Sequence, residues 1–132
     1  MKDFKKYFKI PASPEEIYLA LTKEATATLW TGAPAQIDAQ PGGEFALWDE
    51  SIVGQFLELE ENKKIVQEWY FGEQEAPSIV TIKLHPDKKN TSLELLHTNI
   101  PDEAYEDIVE GWKDPFMASL IEFYKDDDLE EG

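Results

Sequence analysis

His85 and His97 are the only imidazoles in the 132-residue chain, and imidazole is the side chain most ready to move a proton or hold a metal near neutral pH. His85 is in phase with Thr81 and Lys83 and opposite Val80, Ile82 and Leu84, so it is expected to be exposed and inert. His97 is in phase with Leu93 and Leu95 and is expected to point inward. An inward histidine is usually a hydrogen-bonded core residue, and a ligand contact is its other use. Neither has a second histidine or a carboxylate at ligand spacing, so no zinc or iron site can be assembled and no cofactor is implied. The chain has no cysteine, which removes disulfides, thiolate ligands and a thiol nucleophile. Of the 28 carboxylates, Glu58, Glu60 and Glu61 run along a strand edge and turn, and Glu68 falls opposite Ile65, Gln67, Trp69 and Phe71. A catalytic carboxylate pair must be driven together in a pocket, and the periodicity brings none together. No serine has the context of a nucleophile elbow. The chain is therefore expected not to be an enzyme.

Gly42-Gly43 is the remaining chemical candidate, because glycine-rich loops cradle phosphates. Such a loop must lead into a helix N-terminus, whose free amides hold the anion. Here the glycines lead into "EFALW", which reads as a strand, and no Gly-Lys-Ser or Gly-Lys-Thr follows. Pro41 suits the second position of a turn and Gly42 the positive φ of the third. The pair is expected to be a hairpin corner.

The elements that carry these residues follow from periodicity and punctuation. Phe4, Phe8 and Ile10 alternate with Lys5, Tyr7 and Lys9, which predicts a strand with one buried face. In "SPEEIYLALT", Ser13 is an N-cap, Pro14 fits the first helical position and Glu16 completes a capping box. Ile17, Tyr18 and Leu21 form the stripe of a short helix, and a second short helix is expected over 23–29, ending near Trp30 and Gly32. Strands are then expected over 35–39, 44–48, 52–59, 65–71, 79–84 and 92–98, joined by tight turns into an antiparallel meander. From Asp102 onward, Tyr105, Ile108, Val109, Trp112, Phe116, Leu120, Phe123 and Tyr124 recur at three and four, a broad helical stripe facing a sheet. Gly111 and Pro115 predict a break or kink between them, with 115–125 the firmer segment.

Hydrophobic residues make up 42% of the chain. A chain of this length buries roughly two-thirds of its unfolded surface, enough for a core without staples. No repeat or linker divides it, so residues 1–126 are expected to form a single domain, followed by a flexible acidic tail at 127–132. The N-terminal "MKDFKKYFKI" has neither the form of a signal peptide nor that of an anchor, and a cytoplasmic location is expected. The net charge is −16, and all 12 basic residues are lysines. Such a surface repels phosphate backbones and lacks the guanidinium fork that reads guanine or phosphate. Neither nucleic acid nor an anionic membrane is expected as a partner.

In order, the chain presents Trp30, Pro34-Ala35, Gly42-Gly43-Glu44-Phe45, Gly54-Gln55-Phe56-Leu57-Glu58-Leu59, Ile65-Val66 with Trp69, and Gly111-Trp112. Each motif is weak alone. Their ordered succession, over essentially the whole chain, resembles the activator of heat-shock-protein-90 ATPase homologue family of the START-like (SRPBCC) superfamily. The resemblance implies an α+β helix-grip fold: a curved antiparallel sheet wrapped around a C-terminal helix, with two short helices after the first strand and an apolar cavity between sheet and helix. Trp69 and Phe71 share the inward phase and Trp112 and Phe116 lie on the helix stripe, so the four are expected to meet. With Trp30, Gln67, Ile82, Leu95, His97 and Leu120 they are expected to line the cavity, a typical small-molecule site of aromatic walls and a few polar groups. The first functional expectation is thus a non-enzymatic module that binds a small apolar or amphipathic ligand. The second, implied by the family, is regulation of a heat-shock-90-type chaperone ATPase. In that family the comparable domain is the C-terminal half of a two-domain activator, a pattern from which this sequence departs. A superfamily enzyme such as a cyclase would need polar groups converging inside, for which only His97 and Gln67 are candidates.

Overall fold

A computed structural model describes the backbone of residues 1–72 and 76–131, with side chains described through Lys125. The flexible tail expected at 127–132 falls on residues whose side chains lie outside that description. The chain runs β1 (Lys2–Ile10), α1 (Pro14–Thr22), α2 (Glu24–Thr31), β2 (Gln36–Ile37), β3 (Glu44–Leu47), β4 (Ile52–Glu60), β5 (Lys64–Trp69), β6 (Ser78–Asp87) and β7 (Asn90–Ile100). A short turn at Asp102–Ala104 then leads into α3 (Tyr105–Gly111), a widened helical turn (Trp112–Met117) and α4 (Ala118–Glu131). The seven strands form one antiparallel sheet in the order β1-β7-β6-β5-β4-β3-β2. It is the expected meander, with the first strand returning to pair with the last. The curved sheet grips the C-terminal helix on its inner face, so the fold class is the α+β helix grip anticipated above.

Local chemistry explains the boundaries. The Ser13 hydroxyl accepts from the Glu16 backbone N–H at 3.2 Å and donates to the Glu16 carboxylate, with Pro14 opening the helix. Gly32 closes α2 in the left-handed conformation, at φ +71°. At the β2–β3 corner the Gly43 N–H donates to the Gln40 carbonyl at 2.8 Å and Gly42 sits at φ +87°. That is a type II turn with Pro41 and Gly42 at its centre. A Cβ on Gly43 would overlap the Asp38 carbonyl oxygen, so both glycines are required by the corner and neither heads a helix. In β4 a bulge after Phe56 leaves Leu57 outside the pairing register, which is how residues three apart, Phe56 and Leu59, both turn inward.

The core joins Phe8, Ile10, Phe56, Ile65, Val80, Ile82, Leu93 and Leu95 of the sheet to Ile17, Ala20 and Leu21 of α1 and to Met117, Leu120 and Tyr124. Tyr124 donates its hydroxyl proton to the Glu16 carbonyl at 2.7 Å, tying the last helix to the first. The expected break falls at Asp114, whose φ of −152° and ψ of 116° are extended. It turns the chain so that Trp112 and Phe116, on either side, both enter the interior at 1% and 4% exposure.

Candidate functional site

All four tryptophans gather where the kinked helix crosses the sheet. Trp69, at the end of β5, stacks on Trp112 with ring centres 4.7 Å apart and planes 26° apart. Phe116 lies 4.5 Å from Trp112 and 5.2 Å from Trp30. Trp48 closes the set, edge-on to Trp30 at 5.4 Å and to Phe116 at 5.6 Å. Offset and edge-to-face contacts of this kind stabilise by about 0.5–1.5 kcal/mol each beyond area burial. Three of the four indole N–H groups donate within the protein. Trp30 donates to the Ala20 carbonyl at 2.8 Å, Trp69 to Gln67 Oε1 at 2.9 Å and Trp112 to His97 Nδ1 at 2.9 Å.

Those bonds fix the state of His97. An indole nitrogen can only donate, so Nδ1 of His97 must accept and its proton sits on Nε2. Nε2, 2.7 Å from Ser78 Oγ, therefore donates to the serine, whose hydroxyl in turn donates to the Thr98 carbonyl at 3.3 Å. Burial pushes the His97 imidazole down to about 4, a little offset by Asp3. The Ser–His contact superficially resembles a nucleophile and base. A base must instead accept the serine proton, and here both side chains are wholly buried and the tautomer runs the other way. His85 is on the outer surface, 2.9 Å from Glu94, and its hydrogen bond holds that carboxyl below the usual range. Among the described residues no group of three His, Asp or Glu is placed to hold a metal ion.

Beside the aromatic cluster lies a groove of about 370 Å³, lined by Trp48, Ser51, Ile52, Trp69, Asp107, Ile108, Gly111, Trp112, Pro115 and Phe116. One wall is the β3–β4 hairpin, the other is α3 with the kink. Of the residues expected around a cavity, Trp69, Trp112 and Phe116 line this groove. Trp30 stands behind Phe116. Phe71 is just past the end of β5, which stops at Trp69 rather than at 71, and its half-buried ring lies 6.5 Å from Trp69 and 6.2 Å from His97. Gln67 and His97 hold the indoles from beneath. Ile82, Leu95 and Leu120 are at most 1% exposed in the core and do not reach the groove. The groove lies at the edge of the contact between sheet and helix, where Trp48, Trp69, Trp112 and Phe116 meet.

Trp48 was expected to end a strand, but β3 stops at Leu47. Trp48, Asp49 and Glu50 instead take successive left-handed conformations, at φ +50°, +53° and +67°. Such residues cost of order 1 kcal/mol each and persist only where the surroundings over-determine them. Here the Asp49 N–H donates to the Pro34 carbonyl at 3.0 Å, and the Trp48 ring is wedged against Trp30 and Phe116. The available signal was an aromatic residue directly before the turn-prone "DES". Of the other groove residues missed, Ile108 was on the helical stripe but not assigned to the cavity, and Ser51, Ile52, Asp107, Gly111 and Pro115 carried no such signal.

The profile of the family described as "Activator of Hsp90 ATPase homolog 1-like protein" matches residues 11–123. The human activator of 90 kDa heat shock protein ATPase homolog 1 is 34% identical over 110 residues, 82% of this chain and 32% of that protein. An uncharacterised Schizosaccharomyces pombe protein is 32% identical over 111 residues, 83% of this chain and 33% of its own length. The chain thus spans about a third of the length of these curated relatives. Among solved structures, an HSP90 activator from Plasmodium falciparum superposes with a TM-score of 0.81 at 29% identity, covering 89% of this chain and 92% of that one.

Proposed function

The chain belongs to the Activator of Hsp90 ATPase homolog 1-like family, and on that premise we propose that it is a non-catalytic binding domain that takes a small apolar or amphipathic ligand into the tryptophan-lined groove. The observation that carries this reading is the groove itself: a concave space of about 370 Å³ floored by Trp69, Trp112 and Phe116 and walled by Trp48, Ile52 and Ile108. Water held against such a surface is released by an apolar ligand, a gain of about 25 cal/mol per Å² covered. The aromatic side chains are positioned before any ligand arrives, since their N–H groups bond to Gln67, His97 and Ala20, so little ordering is needed on binding. Titration with 1-octanol, followed by tryptophan emission and by amide chemical shifts, tests the proposal. Saturable shifts at Trp69, Trp112 and Ile108 are expected, and an unmoved groove at millimolar probe would end the reading.

A second reading is supported by the Plasmodium falciparum activator, 92% of whose chain is covered here. On this reading the present chain regulates the ATPase of a heat-shock-90-type chaperone, in a cytoplasmic setting. The −16 charge would favour a basic face on such a partner, with an association that weakens as salt rises. Chaperone ATPase rates measured with excess domain, together with pull-down at increasing salt, test it. Rates unchanged by the domain would remove this reading and leave the first standing.

A further inference from the structure

We infer that the groove is built for an amphipathic cation: a small apolar body carrying an ammonium or guanidinium group. The inference rests on the groove reading above and names the class of ligand. Among the residues lining the groove, Asp107 is the only charged one. Its carboxylate is exposed and makes no hydrogen bond or ion pair with the described residues, so none of them neutralises it. Its own helix adds Glu106 and Glu110, and Asp114 follows at the kink. The single lysine of that segment, Lys113, is already directed at Glu110, 3.9 Å away. The opposite wall is no more basic. Trp48, Ser51 and Ile52 belong to a stretch with no basic residue between Lys23 and Lys63, and exposed Asp49 and Glu50 sit at its tip.

A cation placed over this floor meets two attractions at once. An indole ring attracts an ammonium through its quadrupole; of the three tryptophans bordering the groove, half-buried Trp48 offers the most ring surface, Trp69 and Trp112 being 5% and 1% exposed. The Asp107 carboxylate supplies the complementary charge at the rim, and the field of a −16 protein raises the local concentration of cations and repels anions. An alkyl carboxylate of equal length would find the same apolar contact and the opposite electrostatics. The groove should therefore sort ligands of equal hydrocarbon content by charge.

The experiment uses the full chain at pH 7 and three eight-carbon probes below micelle formation: octylammonium, 1-octanol and octanoate. Each is titrated against tryptophan emission in wild-type protein and in Asp107→Asn. Octylammonium is expected to bind about three- to fivefold tighter than octanol, with octanoate weakest. The advantage should shrink in Asp107→Asn and in high salt. Equal affinities for octylammonium and octanol, or a preference unaltered in Asp107→Asn, would overturn the charge inference while leaving the apolar groove intact. If none of the three binds, the groove reading itself falls. Binding of a lysine-bearing apolar peptide with none of the small probes would assign the groove to a protein partner and overturn the small-molecule inference.

Discussion

Acidification from pH 7 to pH 4 should remove about 3 kcal/mol of stability through one imidazole. His97 is fully buried, accepts from Trp112 on one nitrogen and donates to Ser78 from the other. A second ring proton would have to go on Nδ1, where it would confront the indole N–H that now donates there. Trp69 and Phe71 cover the ring at 5.1 and 6.2 Å. The charged group felt across the interior is Asp3 of β1, which favours the protonated form but does not prevail over burial. The folded-state value is about 4 against an ordinary value of 6.5, so between those limits the unfolded chain binds more protons than the native protein. Stability is thus fully present above about pH 6.5, falls as the pH drops towards 4 and levels off below. At about 1.36 kcal/mol per pH unit, a displacement of this size gives a limit of roughly 3 kcal/mol, most of it lost by pH 4. The half-buried carboxyl of Glu94 and the exposed one of Asp102, both held low, lose their stabilising contacts only as the pH falls below their ordinary values of 4.5 and 3.8, so the acid end of the wild-type profile alone does not isolate His97. His97→Gln does: an amide can accept from Trp112 and donate to Ser78 but takes up no proton. Urea unfolding at pH 7, 6, 5 and 4 should show the wild type losing about 3 kcal/mol more than the variant over that range. Parallel profiles would refute the assigned tautomer and its consequence.

Trp112→Phe removes the donor to His97 Nδ1 and part of the ring that stacks on Trp69. It should destabilise by about 2–4 kcal/mol in urea melts at pH 7, and a loss below 1 kcal/mol would show that the bond is dispensable. Gly42→Ala places a Cβ on a residue at φ +87° and should cost about 1 kcal/mol, whereas a neutral result would contradict the type II corner. Ser13→Ala should cost about 1 kcal/mol and Ser13→Gly only a few tenths. Equal losses in the two would assign the Ser13 contribution to something other than its cap hydrogen bond.

How much of this was legible in the sequence depends on how local each cause is. The N-cap at Ser13, the corner at Pro41-Gly42-Gly43 and the kink between Gly111 and Pro115 are each set by a few adjacent residues, and they lie where the spacing put them. The inward phases of Trp69, His97, Trp112 and Phe116 were readable because strand and helix periods survive as long as an element is regular. The phase argument weakens where regularity stops. The bulge after Phe56 changes the register of β4, β5 ends two residues before Phe71, and Trp48 leaves its strand for three left-handed residues. No periodic reading carries across such points. The groove lies between the β3–β4 tip, which is one of them, and the kink after α3, which is not, and so the wall at the tip was its least visible part. The same physics explains why the space lies there. Regular sheet and helix surfaces interdigitate and close, as Ile82, Leu95 and Leu120 do. Where the backbone departs from its period on both sides, large rings are held at angles that cannot fill the gap between them, and the protein keeps an apolar surface open at its edge.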